Sequence, residues 1–401
     1  MNNNEWLGYQ RNDGRKGVRN VIVVAYLVEC AHHVAREIVQ HFRDQPVHLI
    51  GFSGCYPNAY ADRLMNALCT HPNVGGALLI SLGCESFNRR RLHENIAASS
   101  RPVELIGIQS TGGTRKTIQE GIEFIEQALV AIKNVQRVPM NMGDLIVGTV
   151  CGGSDATSGI TANPSVGRAF DTLVENGAAA IFEETGEMIG LEEVMSRRAV
   201  TNELAVELRA SIEKAAKYYT IMGHGSFAPG NADGGLTTIE EKSMGAYCKS
   251  GDSAISGLIK PGDIPPGGGL YLLDVVPDGD PRFGFPNIND TSEIVEMIAC
   301  GCHVILFTTG RGSVVGSAIS PVIKVCANPE TYDHMQDDMD INAGKILAGE
   351  ASIHEVGEEI IEKIIAIAQG EQSCSEQLGH QEFVLGYKTF EPIGPSCLPS
   401  R

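Results

Sequence analysis

Cysteine is the residue type whose placement first suggests chemistry. Cys151 stands where a short apolar run, Leu145 to Val150, gives way to Gly152-Gly153-Ser154-Asp155. Val47 to Phe52 runs in the same way into Ser53-Gly54-Cys55, and Gly76 to Leu82 into Gly83-Cys84-Glu85. Buried parallel strands deliver their C-terminal ends in this manner, and sites in open α/β sheets gather at those ends. If the three strands are parallel neighbours, Cys55, Cys84 and Cys151 emerge on one edge. Three thiolates could hold an iron–sulfur cluster with one iron open to substrate, or a single soft or borderline metal. A cysteine nucleophile with a histidine base, or thiols that merely pack the core, are the competing readings.

Cations near Gly-rich turns suggest an anionic substrate. Arg15 and Arg19 precede the strand Val21 to Val28, where guanidinium forks could grip a carboxylate or sulfonate; a solvated N-terminal arm is the alternative. A short strand, Leu105 to Ile108, leads into a small-residue turn and then the helix Lys116 to Ile132. The free N–H groups around Gly113 and Thr114, backed by Arg115, form an anion cradle there. Thr309-Gly310-Arg311-Gly312-Ser313 repeats the design after another strand, offering Arg311 and Ser313. Neither turn is GxGxxG or a Walker loop, so no dinucleotide and no ATP are expected.

For proton transfer, His224 lies in the loop GHGSF with a reference pKa of about 6.5, and Lys242 competes with it as a desolvated base. Glu183 and Glu184 end the apolar strand Ala178 to Phe182 and are candidate metal ligands or bases, while Thr185 or Glu187 could equally cap a helix. Asp337 to Asn342, DDMDIN, is either a solvated turn or an acidic site.

These residues need a scaffold. Apolar runs alternate with helix-length segments from Val21 to about Ile132, which predicts an open parallel-sheet α/β domain over residues 1–138. A second α/β domain, 139–401, carries long Gly-rich loops, notably Gly223 to Gly235 and the segment after Asp278. A helix from Leu191 to Tyr219, interrupted near Ala199, and another entered through Thr237 and Thr238 belong to it. The formal charge of -18 excludes a general nucleic-acid binder. No run of 18 apolar residues and no secretory leader is visible, so a cytoplasmic protein is expected, and its 11 cysteines then read as thiols or ligands rather than disulfides.

Several long motifs resemble those of the altronate/galactarate dehydratase family: GYQRNDGRKGVRN at 8–20, LGCE at 82–85, TGGTRKTI at 111–118 and CGGSDATSGITANP at 151–164. PGNADGGLTTIEEKSMG at 229–245, TTGRGS at 308–313 and DDMDIN at 337–342 complete the resemblance, which covers nearly the whole chain. It implies an iron-dependent lyase (Fe2+ or a cluster) acting on a 2-hydroxy acid. The family's full-length sugar-acid dehydratases carry an additional small SAF-type domain ahead of the segment that begins here at residue 8. In its two-subunit members, which include (2R)-sulfolactate sulfo-lyase, that domain is a separate small chain. The segments VAYLVECAHHVAREI, SFNRRRLHENIA and DPRFGFPNIND lean toward the sulfo-lyase branch. The resemblance thus implies a large subunit that eliminates sulfite from sulfolactate beside a small SAF-like partner, with room for a higher oligomer. A sugar-acid dehydratase is the alternative, and a non-catalytic scaffold subunit or an iron–sulfur redox enzyme are readings of other classes.

Overall fold

A computed structural model describes residues 5–222, 229–278, 289–386 and 388. Its strands, in chain order, are β1 Glu5–Gln10, β2 Lys16–Gly17, β3 Val21–Tyr26, β4 Val47–Gly51, β5 Val74–Ser81, β6 Val103–Gly107 and β7 Arg137–Asn141. There follow β8 Ile146–Cys151, β9 Ala179–Phe182, β10 Ile255–Ile259, β11 Gly269–Leu273, β12 Val304–Thr309, β13 Val322–Cys326 and β14 Ile341–Asn342. They form two α/β units, each around an open parallel sheet.

The first sheet has the order β4-β3-β5-β6, all parallel. Strands Val47–Gly51 and Val74–Ser81 therefore share a sheet and a direction, as their apolar runs predict. Residues alternate between its two faces with the period of two that a strand imposes. Ile22, Val24, Leu78 and Ile80 meet helices Glu29–His41 and Thr114–Lys133 on one side. Val23, Ala25, Ala77 and Leu79 meet helices Ala59–Cys69 and Arg89–Ala98 on the other. Helix Glu29–His41 buries Ala31, Val34, Ala35 and Ile38, a stripe at i, i+3, i+4 and i+7.

The second sheet has seven parallel strands in the order β10-β11-β9-β8-β12-β13-β14. One face packs on helices Ala162–Glu175 and Ile353–Ala368. The other shares a single core with the first unit: Val150, Ile181, Ile305 and Phe307 join Leu64, Leu68 and helix Asp290–Ala299. Helix Leu191 to Tyr219 is indeed interrupted, into Glu192–Ser196 and Asn202–Met222, because Ala199 bridges to Ile255 at the sheet edge.

One element was invisible in the sequence. The stretch 8–20, read there as a solvated arm or an arginine grip, overlaps β1 and β2, and β1 pairs antiparallel with β7 and β2 in a small third sheet. This sheet ties the start of the first unit to its end.

A pair of buried histidines sits between the two large sheets at the amino ends of their strands. His71 accepts from the Asn73 N–H at 3.0 Å, and His303 accepts from the Ile146 N–H at 3.0 Å and donates to the Lys16 carbonyl at 2.8 Å. Burial, reinforced for His71 by its neighbour His303, pushes both imidazoles down, His303 to about 4. The unfolded chain binds protons below about pH 6.5 that these folded histidines refuse, so their contribution is complete above that pH and is lost as pH falls toward 4. The buried Glu293, raised to about 7 by burial, works with the opposite sign, so the histidine effect must be isolated by difference. The stability advantage of wild type over His303→Gln in urea unfolding should shrink by about 2 kcal/mol between pH 7 and pH 5. A constant advantage across that range would mean His303 is free to protonate in the folded state.

Candidate active site

Strand β8 occupies the point where the sheet topology reverses. The chain leaves it for β9 on one side and returns as β12 on the other. The crevice outside the carboxyl ends at such a point is the usual ligand site of an open α/β sheet. The registers set a row of residues across it. Cys151 pairs with Thr308 of β12, and the pairing of Thr149 with Phe182 puts Glu184, two residues on, beside Cys151.

Five side chains converge there. Cys151 is buried, and its N–H donates to Glu184 Oε1 at 3.0 Å. A 3-10 turn, Thr185–Met188, follows β9 and brings Glu187 onto the side of Glu184, with carboxylate oxygens 3.5 and 3.6 Å from Cys151 Sγ. Lys242 Nζ lies 3.0 Å from Cys151 Sγ, 2.8 Å from Glu187 Oε1 and 2.7 Å from Ser154 Oγ. Lys249 forms a very close ion pair with Glu184 and lies 3.8 Å from Glu187. Both lysines come from one helix, Ile239–Cys248 and its C-cap, seven residues and so two turns apart on one face. That helix starts as its sequence directs, with the Thr238 side chain accepting from the Glu241 N–H.

The loop after Cys151 is built to stay in place. Asp155 Oδ1 accepts from the N–H and hydroxyl groups of Thr157 and Ser158, and Oδ2 from the Asn328 amide. Gly310 packs so closely on it that a Cβ there would come within 2.1 Å of Asp155 Oδ1. The Gly310 and Arg311 N–H groups both donate to the Gly153 carbonyl, at 3.0 and 2.9 Å.

Burial works against the Lys242 ammonium, but its interactions with Cys151 and the Glu187 carboxylate outweigh it and raise its pKa above the ordinary value. Lys242 therefore sits in this arrangement as a cation rather than as a free base. Asp290, whose helix begins beside Gly152, is pushed up by burial and by Glu187. Behind the centre, burial and Glu293 push the Glu183 carboxyl well up.

The residues expected from the sequence divide sharply. Cys151 and Lys242 meet in the centre. Glu184 joins them, and Glu187, expected only as a possible cap, does too. Cys55 and Cys84 are exposed at the carboxyl edge of the first sheet, whereas Cys151 belongs to the second. Among the described residues the potential metal-ligand group is Cys151, Glu184 and Glu187; neither Cys55 nor Cys84 enters it. Arg15 is held by Asp13 at 2.6 Å and by the Thr70 carbonyl. Arg19 spends its fork on Glu376, at 2.7 and 2.9 Å, and on backbone carbonyls at Ile367 and Glu371. These two arginines are ties between elements, not open anion grips. Gly113 and Thr114 begin helix Thr114–Lys133 with Arg115 exposed beside them, on the first unit. Arg311 borders the centre, its guanidinium on the Gly230 carbonyl, while Ser313 Oγ accepts from Val315 in a local turn. His224 lies outside the described residues. Asp340 of the acidic segment is a clasp, accepting from the N–H groups of Lys324 and Cys374.

One thiolate and two carboxylates whose donor atoms lie within 4.8 Å of one another could hold a metal ion. A mixed sulfur–oxygen set suits a borderline divalent ion, Fe2+ among them. Lys242 and Lys249 occupy the same charge-balancing role and would have to yield part of it.

A cluster of one cysteine, two carboxylates and two lysines thus lies at the switch point of an open parallel sheet, where proteins of this architecture bind their ligands. The chain belongs to the D-galactarate/altronate dehydratase family: residues 8–133 match "D-galactarate dehydratase/Altronate hydrolase, second domain" and residues 142–390 match "D-galactarate/Altronate dehydratase, C-terminal". It is 33% identical to the galactarate dehydratase (L-threo-forming) of Escherichia coli, over 93% of this chain and 74% of that protein. It is 31% identical to the (2R)-sulfolactate sulfo-lyase subunit beta of Chromohalobacter salexigens, over 95% of this chain and 96% of that one. With the altronate dehydratase of Bacillus subtilis it shares 30% identity, over 96% and 78%. Family membership implies a dehydratase-type lyase. Among the described residues no helix is long and apolar enough to cross a membrane.

Proposed function

We propose that this chain is a hydro-lyase that removes water from a sugar-derived 2-hydroxy acid and yields a 2-keto-3-deoxy acid. The reading rests on one observation above the others: a buried Cys151–Glu184–Glu187–Lys242 centre at the strand ends of a dehydratase-family chain. In the reaction the C2 proton passes to a base, the electron pair of the C2–H bond becomes the C2–C3 double bond, and hydroxide leaves C3 taking up a proton, so that one water is lost in all. The resulting enol rearranges to the 2-oxo acid. Lys242 supplies positive charge where negative charge develops, in surroundings where burial strengthens it. Ser154, held 2.7 Å from Lys242, orients that ammonium. A divalent ion, iron in our proposal, would be held by Cys151, Glu184 and Glu187 and would supply Lewis acidity toward the substrate's carboxylate and 2-hydroxyl.

Sulfite elimination from sulfolactate is the second reading, favoured by the 96% coverage of a sulfo-lyase subunit beta. In that reading a small partner subunit completes the enzyme. An anaerobic assay with ferrous iron against altronate, galactarate and (2R)-sulfolactate decides between them. We expect 2-keto-3-deoxy acid from a sugar acid. Sulfite and pyruvate from sulfolactate, with no sugar-acid turnover, would move the chain to the second reading; no turnover of any of the three, with or without a small partner, would sink both.

A further inference from the structure

A cavity of about 240 Å³ opens at the amino ends of β5 and β6, the edge of the first sheet opposite to the one from which Cys55 and Cys84 emerge. In a chain of formal charge -18 its lining, among the described residues, holds two arginines and no carboxylate. Arg11 and Arg101 are only 5% and 6% exposed, yet both spend their hydrogen bonds on neutral groups. Arg11 donates to the Pro72 carbonyl at 2.7 Å and to Asn20 Oδ1 at 2.9 Å, and Arg101 donates to the carbonyls of Thr70, His71 and Val74. The carboxylate that acts on both is Asp13, and Arg15 already holds it at 2.6 Å. Burial, with Arg101 as the next cause, brings Arg11 down to about 9, and burial brings Arg101 down to about 10. A guanidinium keeps its proton in a protein, so these displacements express charge without a counter-charge.

Arg11 also has a donor to spare. Its Nη1 has no hydrogen-bond partner among the described residues and is open to solvent, whereas Arg101 Nη1 is sealed and can offer only its charge. Asn12, Ser100 and Gln136 stand exposed at the mouth, and among the described residues their side chains hold no hydrogen bonds.

We propose that this cavity binds a phosphate group as its dianion, either free phosphate or the end of a small phosphorylated metabolite. Arg11 Nη1 donates to it directly, Asn12, Ser100 and Gln136 close around its remaining oxygens, and Arg101 offsets the second charge from behind. A tetrahedral dianion matches the two uncompensated cations, whereas a single carboxylate would leave one of them standing. Arg11 and Arg101 together clamp the segment from Thr70 to Val74. Within it Asn73 donates to the His303 carbonyl at 3.2 Å and to Ser320 Oγ at 3.1 Å in the second unit, so an occupied cavity also firms the joint between the units.

Calorimetric titration with inorganic phosphate, with glycerol phosphate and with chloride at matched ionic strength tests this on wild type, Arg11→Lys and Gln136→Glu. Arg11→Lys keeps the charge and loses the fork. Gln136→Glu sets a carboxylate at an exposed position of the mouth, on which the fold does not depend. Wild type should bind a phosphate probe and show no binding heat with chloride. Binding should weaken about tenfold in Arg11→Lys, as for one lost charge-assisted hydrogen bond, and several-fold in Gln136→Glu. Tighter binding of glycerol phosphate than of inorganic phosphate assigns the site to a phosphorylated metabolite, and the reverse order assigns it to free phosphate. No phosphate binding by wild type, or an equal response to chloride, overturns the proposal. So does phosphate binding unchanged in Gln136→Glu, which reports on the cavity even where Arg11→Lys fails to fold.

Discussion

Lys242→Met is expected to lower kcat/KM by about a hundred- to a thousand-fold, the usual cost of deleting a preorganised charge from a site where charge develops. Methionine keeps the length and apolar stem of the lysine, so the helix Ile239–Cys248 and its Thr238 cap stay in place. What disappears is the ammonium within 3.0 Å of Cys151 Sγ, Glu187 Oε1 and Ser154 Oγ. Lys249, 3.8 Å from Glu187 and engaged with Glu184, cannot replace it. Steady-state kinetics alongside a thermal melt separate lost chemistry from lost fold. Wild-type turnover in a folded Lys242→Met protein would remove this centre from the reaction.

The largest effect on stability should come from a residue far from that centre in sequence. Lys388 is fully buried, with Nζ 2.8 Å from Glu296 and 3.2 Å from the Val275 carbonyl, and its own carbonyl accepts from Asn58 of the first unit. Tyr60 donates to the same Glu296 at 2.6 Å. Removing one partner of a fully buried ion pair leaves a charge uncompensated and costs about 3–5 kcal/mol. Here the cost is compounded by Glu183 and Glu293, which crowd Glu296 and gain nothing from its negative charge. Lys388→Met should therefore lower the urea midpoint steeply, and adding Glu296→Gln should recover part of the loss. Equal destabilisation by the single and the double variant would show that the pairing is not what holds the tail.

Lys388 also shows where the sequence stops being readable. A lone lysine among the apolar residues Phe383, Val384, Leu385 and Phe390 names no partner in the sequence; only the packing of two units around it makes it a core residue. Arg19 is similar, since its partner Glu376 lies 357 residues away. By contrast, Val21–Tyr26 and Val74–Ser81 were legible because strands covered on both faces must read as unbroken apolar runs. Helix Ile239–Cys248 was legible because its cap is a local signal. Cys151 and Lys242 could each be singled out, one by its strand exit and the other as a lysine able to serve as a desolvated base. Their meeting could not, because the order of strands in a sheet is non-local. For the same reason Cys55 and Cys84 looked like companions of Cys151: a strand exit looks the same whichever sheet it leaves. Glu187 and Lys249 carry no strong local signal, although Lys242 and Lys249 at a spacing of seven on one helix hinted at a shared face.

The central claim is that Cys151, Glu184 and Glu187 form the reactive centre together with Lys242. The most direct test is a crystal structure grown anaerobically with ferrous iron, read by anomalous scattering at the iron edge. The expected result is one iron peak among Cys151 Sγ and the carboxylates of Glu184 and Glu187. Iron bound instead at Cys55 and Cys84, with Cys151 still paired to Lys242 and no metal beside it, would contradict the account.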